Sequence, residues 1–229
     1  MFFWNYTIFL LIPPLILAIY AQQKVRSTYR HFSTKLSSSR ISAAEVAFQI
    51  LNSSGATDVK IEKTQGRLTD HYDSRKKALR LSEGVYGSRS LAALGIAAHE
   101  AGHALQHHAG YYPLQLRNAI YPIANFGSSL AFPLFFVGLI FSRQGPNILM
   151  DLGILLFTGA VAFTVLTLPV EFNASHQALV LLREGGFLKE DELSGARKVL
   201  SAAALTYVAA TAMAVMQLLQ LILLRGSRR

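Results

Sequence analysis

The chain has 229 residues, 52% hydrophobic and 15% charged, with a net charge of +9. That is too apolar for an ordinary soluble domain of this length. There is no cysteine, which excludes disulfides, iron–sulfur clusters, thiolate zinc sites and thiol nucleophiles.

Four stretches reach bilayer-spanning length, at about 2–21, 119–141, 148–169 and 200–224. The first has no basic leader and carries Pro13-Pro14, so it is expected to be a retained anchor rather than a cleaved signal. Residues 22–40 are rich in Ser, Lys and Arg and predict a juxtamembrane connector. Residues 41–52 predict a short amphipathic helix, with Ser42 as cap and Ser53-Ser54-Gly55 as stop. Alternating apolar and polar residues at 58–64 predict a strand, turned by Gln65-Gly66. Two more strand candidates follow at 67–72 and 77–82, in a small antiparallel sheet.

The next element carries the chemistry. Ser88-Arg89-Ser90 supplies N-cap candidates for a helix over 91–109, and Gly110 and Pro113 supply its stop. Within it lies His99-Glu100-Ala101-Gly102-His103, an H-E-x-x-H pentad. Two His at i and i+4 share one helix face and can grip a single Zn²⁺. The Glu between them can take a proton from a water activated there. Gly102 is out of place inside a helix, costing about 1 kcal/mol relative to Ala. Close approach by substrate or a neighbouring element would explain it.

A catalytic zinc takes three protein ligands and leaves one position open, so a third ligand is required. His107 and His108 follow the pentad, but His107 lies two turns beyond His99, too far along a straight helix. The metzincin pattern fails as well, because Gln106 and Ala109 stand where it needs Gly and His. Glu171 is the stronger candidate, an acidic residue beside a spanning segment. Pro169 suits the first turn of a new helix running to Arg183 and stopped by Gly185-Gly186. The competing reading is a surface Glu at a helix N-terminus. Asp70, His71 and Asp73 form a third polar group, where His71 or Tyr72 is read as a substrate or oxyanion contact. His176 is a weaker oxyanion candidate, five positions after Glu171.

Several blocks together resemble a known family. They are the pentad followed by Ala104-Leu105-Gln106, then Asp70-His71-Tyr72-Asp73-Ser74-Arg75 with Leu79-Arg80-Leu81-Ser82. To these add Thr167-Leu168-Pro169-Val170-Glu171-Phe172-Asn173-Ala174-Ser175, and Ala196-Arg197-Lys198-Val199-Leu200 with Ala203-Ala204-Leu205-Thr206-Tyr207-Val208. In this order, over nearly the whole chain, they resemble the YugP-type family of bacterial membrane zinc peptidases. That family is similar to the HtpX-type and CAAX-prenyl-protease-type membrane metallopeptidases. The resemblance implies His99, His103 and Glu171 as zinc ligands and Glu100 as catalytic base. The broader glutamate-zincin pattern carries an Asp four residues after the ligand Glu, where it orients a zinc-bound His. This chain has Ser175 there, whose hydroxyl can make one such hydrogen bond without charge.

Charge suggests the orientation. Residues 24–117 hold 14 Lys and Arg, and Arg183, Lys189, Arg197 and Lys198 add 4. The short loop at 142–147 holds only Arg143. The positive-inside tendency then places both basic regions in the cytoplasm and the N-terminus outside. Arg225, Arg228 and Arg229 run against this if the last span crosses fully. The basic excess is read as topology and contact with anionic lipid. Nucleic acid is not an expected partner, since no basic–aromatic patch or binding module is present.

The expected fold is therefore a mostly α multi-pass membrane protein with about four transmembrane helices and a small α+β zincin-like cytoplasmic domain. Its parts are an anchor at 1–21, the zincin-like domain at 22–118 and a transmembrane hairpin at 119–169. A cytoplasmic helix with the third ligand follows at 170–199, then a C-terminal transmembrane helix and basic tail at 200–229. The expected activity is zinc-dependent hydrolysis of a polypeptide at the cytoplasmic face of a bacterial inner membrane. The alternatives are a membrane scaffold stabilised by zinc, or a small transporter. The transporter is disfavoured because the only acids near the spans, Asp151 and Glu171, lie at their ends.

Overall fold

The structure, a computed structural model, describes residues 6–141, 145 and 147–227. Residues 2–5 of the first expected span, Arg143 with most of its loop, Arg228 and Arg229 lie outside the described residues. A 3-10 turn at Tyr6–Leu11 leads into α1 at Ile12–Ser33. Pro13 and Pro14 have no amide to give the helical ladder, so they stand in the first turn of α1, where none is needed. The connector expected at 22–40 is helical over most of its length, because α1 continues to Ser33.

Helix α2 spans Ala43–Ser53, and the Ser42 side chain accepts from the Glu45 amide at 3.3 Å. Strands β1 (Lys60–Thr64), β2 (His71–Asp73) and β3 (Ala78–Ser82) form the sheet in the order β1-β3-β2. β1 runs parallel to β3, and β2 antiparallel to it. The expected antiparallel sheet is thus a mixed one. β3 takes the centre because Ala78, Leu79 and Leu81 bury completely, whereas β1 is largely polar and suits an edge. Asp73 holds the β2–β3 turn by accepting from the Arg75 and Lys76 amides, which keeps its carboxyl below the usual range.

A short α3 (Glu83–Tyr86) precedes α4 (Leu91–His108), the motif helix. The Ser90 side chain caps it by accepting from the Ala93 amide, and Gly110 leaves it at φ +65. Three long helices complete the chain: α5 (Tyr112–Phe141), α6 (Ile148–Glu184) and α7 (Glu190–Gly226). These three and the segment Tyr6–Ser33 are long and apolar enough to cross a membrane. The mostly α architecture with a small α+β region therefore stands. The helix start expected at Pro169 is corrected, because Pro169 lies inside a continuous α6. A proline deletes one amide from the ladder, and an apolar surrounding offers no water to replace the remaining bonds, so the helix keeps them.

The chain divides into two units. One comprises Met1–Ala21, Leu116–Pro169 and Thr206–Arg229; the other comprises Gln22–Gln115 and Val170–Leu205. In the first unit, Phe135, Met150 and Leu221 anchor a buried cluster. Gly153 admits the backbone of α5, since a Cβ there would meet the Ala131 carbonyl at 2.7 Å. Asp151 and Arg225 form an ion pair, one of its contacts 3.1 Å long. In the second unit, α4 is the core. Ala92, Ala97, Ala98, Ala101 and Ala104 are all fully buried. α2, β3 and the segments 178–182 and 187–200 pack on it. Small residues let backbones close in, and Gly95 sits against Ala196.

Candidate metal centre

α4 and the part of α6 beyond Pro169 build the site, both within the second unit. Gly102 lies where they meet: a Cβ there would stand 2.9 Å from the Ala174 carbonyl oxygen and 3.4 Å from Ala174 Cα. The glycine that costs helix propensity is therefore required by an adjacent backbone. This contact brings α6 against the His99–His103 face of α4. Glu171 is buried at 3% exposure and presents Oε2 to both imidazoles, 3.3 Å from His99 Nε2 and 3.5 Å from His103 Nε2. The alternative of a surface Glu at a helix start is corrected on both counts, by burial and by position inside α6.

The donor set fits zinc. Ligand distances of about 2.0–2.1 Å at tetrahedral angles place neighbouring donor atoms roughly 3.3–3.4 Å apart. The observed separations of 3.3 and 3.5 Å match that edge length, and the three residues form a cluster able to hold a metal ion. The imidazole rings stand edge to face with centroids 4.7 Å apart.

Hydrogen bonding settles which ring nitrogen is available. Gln106 Nε2 donates to the Val170 carbonyl at 2.9 Å and to Asn173 Oδ1 at 2.8 Å. A carbonyl can only accept, so the Gln106 amide is fixed with Oε1 turned to His103 Nδ1, 2.9 Å away. His103 must then carry a proton on Nδ1, and Nε2 is the nitrogen turned toward Glu171. His99 likewise turns Nε2 toward Glu171, with Nδ1 3.1 Å from Ser175 Oγ, a hydroxyl that can donate or accept. Ser175 thus occupies the orienting place that the sequence comparison with glutamate-zincins pointed to, without a charge. Gln106 and Asn173 were missed as site residues. Gln106 stands in the sequence as a failed metzincin position and as part of the block after the pentad, and the signal for its role is that a polar residue three after His103 shares its face. We expect Gln106→Ala to weaken zinc affinity about 10–100-fold while α4 stays folded, as loss of such orienting partners does elsewhere. Competition with a chromogenic chelator measures this.

Glu100 is buried, one residue after His99 and three before His103, so it flanks His103 on the helix surface. The other polar candidates are engaged elsewhere. Asp70 accepts from the Ser82 amide at 2.7 Å and from its hydroxyl. Asp73 binds Arg80 in addition to its turn. His71 is exposed, with Nδ1 2.8 Å from the Thr69 carbonyl. The Tyr72 hydroxyl lies 2.8 Å from His107 Nδ1, linking the sheet to α4. Burial first, then the charges of Asp58 and Asp73, push that phenol up to about 12. His176 is exposed on α6.

Comparison with known proteins agrees with this geometry. A family model described as "Putative neutral zinc metallopeptidase" matches residues 7–226. A protein of Bacillus subtilis (strain 168) named "Putative membrane protease YugP" is 46% identical over 217 residues, covering 95% of each chain. No solved structure matches the chain. Zinc is the metal of this family, the buried His₂Glu set is a nitrogen–oxygen site suited to it, and four helices have membrane-crossing length. By a match that runs almost end to end, the chain belongs to the YugP-type family of membrane zinc metallopeptidases.

Proposed function

We propose that the chain is an integral-membrane endopeptidase that hydrolyses peptide bonds, with His99, His103 and Glu171 as zinc ligands and Glu100 as general base. The observation that carries this is the convergence of two Nε2 atoms on one buried carboxylate oxygen, with both Nδ1 atoms held by Ser175 and Gln106. Zinc bound there would act as a Lewis acid on the scissile carbonyl and lower the pKa of a water towards roughly 7.

The remaining steps belong to the chain's own residues. Glu100 accepts a proton from the attacking water as the water oxygen bonds to the carbonyl carbon. The same carboxyl then delivers that proton to the departing amide nitrogen as the C–N bond breaks. Transfer by a positioned acid–base group is worth about 10²–10⁴ in rate. Gln106 keeps a proton on His103 Nδ1 and fixes that ring, and Ser175 holds the His99 ring in orientation. The five-part division of the chain and the cytoplasmic placement of the site at an inner membrane rest on charge: 18 basic residues lie in the two segments read as inside.

The test uses the full-length chain purified in detergent. We expect stoichiometric zinc and cleavage of an unfolded polypeptide such as casein, lost on chelation and restored by zinc. His99→Ala and Glu171→Gln are expected to lower zinc content sharply. Cleavage that survives complete zinc removal would overturn the proposal. Unchanged zinc in Glu171→Gln would move the third ligand elsewhere. Stoichiometric zinc with no cleavage of any polypeptide would favour the scaffold instead.

A further inference from the structure

A second concave site lies in the same unit, away from the three converging donors. It is a cavity of about 790 Å³ between the C-terminal half of α1 and the N-terminal part of α7. Lys24 and His31 line it from α1, and Arg197 and Lys198 from α7. Ser27, Thr28 and Ser201 add hydroxyls, and no acidic residue is among those that line it. Two of the three acidic side chains at the start of α7 are engaged elsewhere. Glu190 pairs with Arg183 at 2.7 Å, and Glu192 accepts from the Ser38 and Lys189 amides. Phe32 forms an apolar wall, with the Lys198 ammonium 6.0 Å from its ring centroid.

Position along each helix adds a second argument. Lys24 stands three residues past the apolar run that ends at Ala21, a rise of about 4.5 Å. Arg197 and Lys198 stand just before the apolar run that begins at Leu200. Basic residues one turn outside a membrane-length stretch sit at headgroup level, where anionic lipid concentrates. A phosphate offers acceptor oxygens to match these cations and hydroxyls, and the acyl chains of its lipid would continue along the apolar helix faces.

We propose that this cavity binds the phosphate headgroup of an anionic phospholipid, holding α1 and α7 together at the membrane surface. The test is thermal unfolding of the full-length chain in a zwitterionic detergent. It is titrated separately with dioctanoyl-phosphatidylglycerol, dioctanoyl-phosphatidylcholine and inorganic phosphate. We expect saturable stabilisation by phosphatidylglycerol and none by phosphatidylcholine. In Lys24→Gln/Arg197→Gln the apparent affinity should fall roughly thirtyfold, the loss expected from two basic side chains near an anionic surface. Lys60→Gln/Lys76→Gln removes the same charge from the sheet region and should leave the response intact. Three results would overturn the proposal: equal stabilisation by both lipids, an unchanged response in the cavity variant, or an equal loss in the sheet variant. Stabilisation by millimolar inorganic phosphate, with no further gain from lipid, would reassign the cavity to free phosphate and overturn the lipid assignment. A cavity variant that unfolds without lipid is replaced by Arg197→Gln alone, judged by the same titration.

Discussion

Glu100→Gln is expected to keep its zinc and lose at least about 10²–10⁴ of its turnover, the share that a positioned acid–base group supplies. Glutamine has nearly the shape of glutamate but cannot accept a proton. Glu100 lies outside the converging trio, so the substitution leaves His99, His103, Glu171 and their partners in place. The helix around it is set by Ser90 at one end and by buried alanines along its length, so α4 should not move. Zinc content by mass spectrometry, measured with cleavage rate on the same preparation, separates the outcomes. Normal cleavage would place the base elsewhere. Loss of zinc with loss of activity would make Glu100 part of the metal's surroundings.

Gly102→Val should have the largest structural effect of any single change near the site. Valine would place a Cβ 2.9 Å from the Ala174 carbonyl oxygen, and two methyl groups beyond it. Neither neighbour is a flexible side chain that can swing away, because the obstacle is backbone. Replacing glycine gains helix propensity, by less than about 1 kcal/mol for valine. Overpacking a rigid interface costs about 1–3 kcal/mol, and more when backbone must shift. Steric cost wins, and the segments carrying the imidazoles and Glu171 are pushed apart. The expected result is a melting temperature lowered by several degrees together with weaker zinc retention. Gly102→Ala should show the same signs at smaller size. Gly87→Ala, where a Cβ meets nothing within 4 Å, should show neither. A Gly102→Val protein with normal melting and normal zinc would mean that the two helices do not meet as described.

The motif helix was legible because its signals are local. Ser90, the pentad and Gly110 each act within a turn or two, and the helix bounds follow from them. Gly102 was legible as an anomaly, but its cause became visible only with Ala174 beside it, 72 positions away. Sheet order was not legible: pairing is decided by which strand buries both faces, and adjacency in sequence suggested a hairpin ladder that β1 leaves by pairing parallel with β3 rather than with β2. Pro169 misled for a different reason. Its usual preference for a first turn was learned in water, and an apolar environment reverses the balance. Gln106 escaped because its importance depends on Val170 and Asn173, which lie on another helix. Glu171 was legible as an acid beside a spanning stretch, the resemblance to a known family pointed to the same residue, and the structure brings it to both imidazoles.

The Asp151–Arg225 pair bears on how the chain is threaded. Counted by residues, Arg225 argues against the orientation read from the rest of the sequence. A guanidinium joined to a carboxylate is closer to a dipole than to a lone cation. The pair thus leaves little net charge where the ends of α6 and α7 meet, although an arginine counts toward the cytoplasmic side whether or not an acid compensates it.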